Sequence, residues 1–177
     1  MARTVLRTVR LVAFAVCFGA AQALPAHAIL PLCKPVSTSG FGQAKQAFHL
    51  YQHNRFAEAF ARFSDLAERG NLFAQNQIGI MYHRGLGVPR DYETAVYWWR
   101  KAAERGQVTS QCNLGIMYMY GVGTKQDDVL AYLYFNAAAA RGSRDARRKR
   151  DMLEAWRMSP SELQRAQDMS RNWSLVP

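Results

Sequence analysis

Residues 74–106 read AQNQIGIMYHRGLGVPRDYETAVYWWRKAAERG, and residues 110–142 read SQCNLGIMYMYGVGTKQDDVLAYLYFNAAAARG. The two stretches align without a gap at an offset of 36. Gly79, Tyr82, Gly85, Gly87 and Asp91 fall on Gly115, Tyr118, Gly121, Gly123 and Asp127. Ala95, Trp99, Ala103, Arg105 and Gly106 fall on Ala131, Phe135, Ala139, Arg141 and Gly142. Self-similarity at a fixed period of this size marks a repeat architecture. The offset also runs backwards, onto Ala59, Phe63, Ala67, Arg69 and Gly70. That earlier unit is shortened, since only Gln52-His53-Asn54-Arg55 separates its two halves and the glycine pair is missing. A partial unit follows the two full ones.

Each unit reads as two helices. Ala95, Trp99, Ala102 and Ala103 recur at i, i+4, i+7 and i+8, one face of a 3.6-residue period, and Ala131, Phe135, Ala138 and Ala139 repeat it. The preceding helix carries Ala74, Ile78, Met81 and Tyr82, then Leu114, Met117 and Tyr118. Asp91 and Asp127 stand where the second helix should begin, with carboxylates that accept from its free N–H groups. Gly70, Gly106 and Gly142 stand where it should end. Arg69, Arg105 and Arg141 precede them, where a cation meets the negative end of the helix dipole. Gly79 and Gly115 lie inside helices, at a cost of roughly 1 kcal/mol each against alanine. A repeated cost predicts a packing reason: Trp99 and Phe135 need the room. The pairs Gly85/Gly87 and Gly121/Gly123 read as inter-helix turns. No Lys-Ser/Thr follows them and no strand signal precedes them, as a phosphate loop would require.

This pattern, A-x4-G-x2-Y-x2-G-x-G-V-x2-D-x3-A-x2-W-W/F-x2-A-A-x-x-G, resembles the Sel1-like repeat, a relative of the tetratricopeptide repeat. The resemblance covers about residues 41–175. It implies an all-α fold, an α-solenoid of stacked antiparallel helix hairpins, with units at about 41–72, 73–108 and 109–143 and capping helices over 144–175. It also implies first helices along a concave face, and a non-enzymatic adaptor, assembly factor or regulator that needs no cofactor or metal. Tetratricopeptide groove positions, carried over by alignment, fall on Phe48, Tyr51, Asn76, Ile80, His83, Cys112, Ile116 and Met119. Such a strip suits a peptide or helix of a protein partner laid across several repeats. Some secreted members of the family are linked with β-lactam binding, but those pair two cysteines in each repeat. Here only Cys112 lies in a repeat, so that activity is not carried over. An envelope enzyme or a peptidoglycan- or β-lactam-binding protein is the alternative reading.

The rest of the chain sets the surroundings. It has 177 residues, 49% apolar and 20% charged, with a net charge of +10, enough for a packed core and too apolar for a disordered chain. Arg3, Arg7 and Arg10 precede eleven apolar residues at 11–21, and Ala26 and Ala28 occupy the small-residue positions of a cleavage site. This is the layout of a secretory signal peptide over 1–28, which predicts export to the periplasm or beyond. Cleavage there would remove three arginines and leave a net charge of +7. A Pro-flanked lead-in follows over 29–40. A disulfide between Cys33 and Cys112 is open in that compartment, although a cysteine on a helix reads more readily as a small buried apolar residue.

Towards the C-terminus, Ala146, Leu153 and Trp156 mark the inner face of a helix over about 145–157. Ser159-Pro160 starts a terminal helix whose Leu163, Ala166, Met169 and Trp173 share one face. Arg144, Arg147, Arg148, Lys149 and Arg150 form the densest basic patch. Pairing of Asp145 with Lys149, Arg147 with Asp151 and Arg150 with Glu154 would satisfy it in part. The patch suits an anionic surface or a peripheral membrane contact; no base-reading element accompanies it, so nucleic acid is not an expected partner. His49 and His53 are spaced to share a metal, but no third ligand is evident. Residues 1–28 supply too few apolar positions in a row to span a bilayer.

Overall fold

The computed structural model describes residues 30–34 and 40–172. Eight helices and no strand occur among them: α1 Phe41–Gln52, α2 Phe56–Glu68, α3 Leu72–Arg84, α4 Tyr92–Glu104, α5 Val108–Tyr120, α6 Asp128–Ala140, α7 Arg144–Trp156 and α8 Pro160–Asn172. The period is visible in where they start. First helices begin at Leu72, Val108 and Arg144, and second helices at Phe56, Tyr92 and Asp128, every step being 36 residues. From α1 to α7 each helix packs on the next in chain order, the arrangement of a solenoid in which every hairpin hides its neighbour's apolar face.

The punctuation is where the sequence puts it. Asp91 accepts from the Thr94 N–H at 3.0 Å and Asp127 from the Leu130 N–H at 2.9 Å, so both second helices of the full units are capped. Gly70, Gly106 and Gly142 follow the second helices with positive φ. Of the arginines before them, Arg105 behaves otherwise than expected. Arg105 does not turn to its own helix end; its Nη1 donates to the Gly70 carbonyl of the preceding unit at 2.7 Å. The favourable helix end is thus the neighbour's, and the contact ties unit to unit.

The helix glycines make room for the large rings. A Cβ at Gly79 would lie 2.7 Å from Trp99 Cδ1, and one at Gly115 would lie 2.7 Å from Phe135 Cδ1. The turn glycines have a second task beyond the turn. A Cβ at Gly87 would stand 2.7 Å from the Phe56 carbonyl oxygen, and Gly123 sits in the same way against Tyr92. Each glycine turn therefore rests its backbone on the start of the second helix one unit earlier.

Buried apolar side chains form two clusters. Ala44, Ala59, Phe63, Phe73 and Ile78 join the first hairpin to α3. Trp99, Leu114, Phe135, Leu153 and Ala166 lie in the second, which runs from α4 to α8. The array closes where α8 returns to pack on α6. Ser159 caps that helix: its hydroxyl accepts from the Glu162 N–H at 3.3 Å, while the Glu162 carboxylate accepts from the Ser159 N–H at 2.8 Å. Ala166 is buried and Leu163 half-buried, as expected of a closing face, whereas Met169 is 38% exposed. Trp173 lies outside the described residues, as do residues 1–28. Trp156 departs from expectation. It is 76% exposed, because α8 turns back over α6 and leaves the last turn of α7 uncovered.

Candidate functional site

The polar residues of the first helices repeat with the same period as the hairpins. Asn71, Gln107 and Ser143 cap α3, α5 and α7, accepting from the N–H groups of Ala74, Ser110 and Ala146. Gln75 and Gln111 are buried and donate to the carbonyls of Ala67 and Ala103 at 3.0 and 3.1 Å, pinning each first helix to the end of the second helix before it. These residues were missed in the sequence, although Gln75 and Gln111 coincide at the 36-residue offset.

The eight groove positions fall into four environments. Phe48, Tyr51 and Ile80 are half-buried. The Phe48 and Tyr51 rings are stacked 6.2 Å apart, and Phe48 meets Phe73 edge-on at 5.6 Å. Asn76 is buried at the junction of α3 and α5. Its carbonyl accepts from Trp99 Nε1 at 3.2 Å, and its amide oxygen accepts from Ser110 Oγ at 3.1 Å. His83 turns into its own hairpin, with ring centroids 5.4 Å from Tyr92 and 5.6 Å from Trp99. It is fully buried, so it presents nothing to a partner. Neither ring nitrogen has a hydrogen-bond partner. Burial, helped by the charges of Arg84 and Arg90, pushes its pKa down to about 4. Met119 occupies the equivalent place one unit later and is buried too.

Cys112 and Ile116 are covered as well, and Cys112 is not the free buried thiol that a helical cysteine suggests. It is bonded to Cys33, with the two Cα atoms 6.0 Å apart. Residues 30–34 lie as a strap on this part of the face. The Cys33 N–H donates to Asn113 Oδ1 at 2.9 Å, and the Lys34 N–H donates to Asp145 Oδ2 at 3.1 Å. Leu30 is buried in the same cluster as Cys112, Ile116 and Met119. The strap gave no sign of itself in the repeat pattern, because Asn113 stands where the preceding unit has Gln77.

The basic patch is partly neutralised, by other pairs than expected. Arg148 pairs with Asp145, Arg150 pairs with Asp151 at 2.7 Å, and Arg150 also donates to Asn136 at 3.0 Å. The strap's Lys34 N–H, with Arg148, holds the Asp145 carboxyl below its usual range. Arg144 and Arg147 are exposed, while Lys149 and Arg150 are half-buried. An unforeseen pair, Arg157 with Asp128 at 3.0 Å, fastens the turn before α8 to the start of α6. Burial outweighs the guanidinium there and raises the Asp128 carboxyl. His49 and His53 stand with ring centroids 4.3 Å apart on the exposed end of α1. Among the described residues, no group of three or more His, Cys, Asp or Glu is placed to hold a metal ion. No described helix is long and apolar enough to cross a membrane.

Comparison with known proteins agrees with this architecture. The Sel1 repeat family model matches residues 72–107 and 108–143. A protective antigen of uropathogenic Escherichia coli displaying an SLR fold is 28% identical, with a TM-score of 0.70 over 75% of this chain and 29% of its own. A Sel1 repeat protein from Oxalobacter formigenes is 34% identical, with a TM-score of 0.60 over 62% of this chain and 45% of its own. The chain thus spans under half the length of either relative. None of the curated proteins matches it.

Proposed function

We infer that this chain, which carries Sel1 repeats over residues 72–143, is a non-enzymatic binding scaffold of the cell envelope. Proteins built on this repeat generally serve protein–protein interaction, and that coarse role is the premise. The observation that carries the finer reading is the half-buried aromatic row of the first hairpin. Phe41, Phe48, Tyr51 and Phe56 touch one another in sequence, at ring distances of 5.4, 6.2 and 5.4 Å. Partly exposed aromatics of this kind anchor protein partners, since they give large apolar contact at small entropic cost. With Cys112 and Ile116 covered, the working part of the face is Phe48, Tyr51 and Ile80, and the occupant is a peptide or helix of another protein, acting on it as adaptor, assembly factor or regulator. Export supports the location: the signal-like stretch at 1–28 and the Cys33–Cys112 bond both suit an oxidising compartment.

Photo-crosslinking in cells from positions 51 and 80, with Tyr97 on the opposite helix row as control, tests this reading. Position 51 should capture a protein that position 97 does not, and Phe48→Glu should abolish the capture. Equal capture from all three positions, or capture that survives Phe48→Glu, would remove the groove from consideration.

A second reading rests on Trp156, which is 76% exposed at the end of the helix that carries Arg144 and Arg147. An exposed tryptophan on a helix that also carries exposed cations suits an anionic lipid surface. Its binding to anionic vesicles should fall steeply between low and physiological salt; salt-independent binding argues against it.

A further inference from the structure

The strap is a short segment with few bonds. Among the described residues it is held by two backbone N–H donations, to Asn113 and Asp145, by the burial of Leu30 and Cys33, and by one covalent bond. Its backbone has no helix or strand of its own. Pro31 biases Leu30, and Pro35 biases Lys34, towards extended backbone. An extended chain whose N–H groups are read by side chains of a helical wall is the geometry of a docked peptide, not of a repeat. It also joins partners distant in sequence, 80 and 111 residues apart, where repeats otherwise touch only their neighbours. Detaching five residues breaks none of the contacts between helices, so the strap opens locally, without global unfolding. Once it lifts, the bond that lay buried is open to exchange.

We propose that the wall formed by α5 and the first turn of α7 is a docking site for an extended apolar segment. Residues 30–34 are its tethered occupant, and thiol–disulfide exchange at Cys33–Cys112 frees the site to take the same segment from a second copy of the chain. The exchange needs a dithiol reductant. One thiolate attacks the Cys33 sulfur, and Cys112 leaves as a thiolate that takes a proton. The second thiolate then attacks the mixed disulfide and frees Cys33, so the reductant leaves as a disulfide and the chain gains two electrons and two protons. The segment shown to fit the wall is this one, which makes a second copy's strap the committed occupant. Exchange of an identical element between protomers is a low-cost route to a dimer. The proposal does not depend on the aromatic row of α1.

The test uses two full-length variants, both in a Cys17→Ser background: Cys33→Ser, with an empty wall cysteine, and Cys112→Ser, with a strap cysteine. They are mixed under dithiothreitol, and the reductant is then removed in the presence of a mild oxidant. The expected product is a covalent heterodimer that peptide mapping shows to be linked from Cys112 of one copy to Cys33 of the other. Leu30→Asp in the strap-bearing copy should lower its yield about fivefold or more, as should Asn113→Leu in the wall-bearing copy. Leu30→Asp leaves the folding of the receiving wall untouched, so it carries the test even where Asn113→Leu misfolds. Absence of the heterodimer overturns the proposal. So does a yield indifferent to Leu30→Asp, which would mean random thiol collision. Loss of the helical circular dichroism on reduction of the parent chain overturns it too, since the bond would then be a staple for the whole fold.

Discussion

A methyl group at position 79 decides between two accounts of the helix glycines. Were Gly79 merely a weak helix residue, Gly79→Ala would stabilise the protein by up to about 1 kcal/mol. The new Cβ would instead stand 2.7 Å from Trp99 Cδ1 and 2.8 Å from Cε2. The indole has little room to retreat, since its Nε1 is bonded to the Asn76 carbonyl. Gly79→Ala and Gly115→Ala are therefore expected to destabilise by about 1–3 kcal/mol, read from urea midpoints. A rise in midpoint would mean that the rings move aside freely. This contact was legible in the sequence, because two unfavourable residues recurred opposite two large ones. His83 was not. A histidine on a helix aligned to a groove position looks solvent-facing, and only the rings of Tyr92 and Trp99 around it show otherwise. Its folded pKa of about 4 lies below the unfolded value of 6.5, so the unfolded chain binds more protons between them. Stability must then fall as pH drops from about 6.5 through 4, by about 3 kcal/mol in all and about 2 kcal/mol by pH 5. His83→Met copies the residue that the next unit buries at the same place, and should flatten the urea-midpoint profile between pH 7.5 and 5. An unchanged slope would assign the acid loss to other groups.

Among the elements, the second helices of the two full units depend on single side-chain caps. Asp127→Ala removes the acceptor of the Leu130 N–H and should cost about 1 kcal/mol, while Asp127→Asn should cost much less because the amide oxygen still accepts. Equal losses for the two would point to the charge and the helix dipole rather than the cap. Gly123→Ala is expected to cost more than either cap variant. It places a side chain at φ 66° and also against the Tyr92 backbone, so it breaks the turn and the contact between units together. Helix spans, caps and turns were readable because each is set by residues a few positions apart, and the repeat printed the same signal twice. The reach of Arg105 to Gly70, the bond of Gln111 to Ala103 and the return of α8 onto α6 were not readable. They depend on how one hairpin leans on another, which the spacing within a hairpin does not fix. Trp156 shows the same limit: its spacing from Leu153 puts it on the inner face, and only the path of α8 leaves it bare.

For the molecule as a whole, the strap changes what kind of solenoid this is. A stack of hairpins with neighbour contacts alone unfolds from its weaker end, since no term links distant units. The first hairpin here is the weaker end: it lacks the glycine turn that rests each of the two full units on the one before, and α2 begins at Arg55 without a side-chain cap. The Cys33–Cys112 bond closes a loop across 79 residues that contains that hairpin and the whole of the next. A loop of this length constrains the unfolded chain by about 4–5 kcal/mol in the chain-entropy account, a stabilisation shared by every unit inside it. Unfolding of the oxidised chain should accordingly be one transition, with helical circular dichroism and tryptophan fluorescence coincident. In the Cys33→Ser, Cys112→Ser chain the constraint is gone. Helix should then be lost first from α1 and α2, seen as faster hydrogen exchange there than in α5 and α6, and the two spectroscopic curves should separate. Separation is the informative result, because a uniformly weaker protein would shift both curves together. Coincident curves with α1 and α2 still protected would show that the neighbour contacts of the first hairpin suffice, and that the strap contributes nothing to the cooperativity of the array.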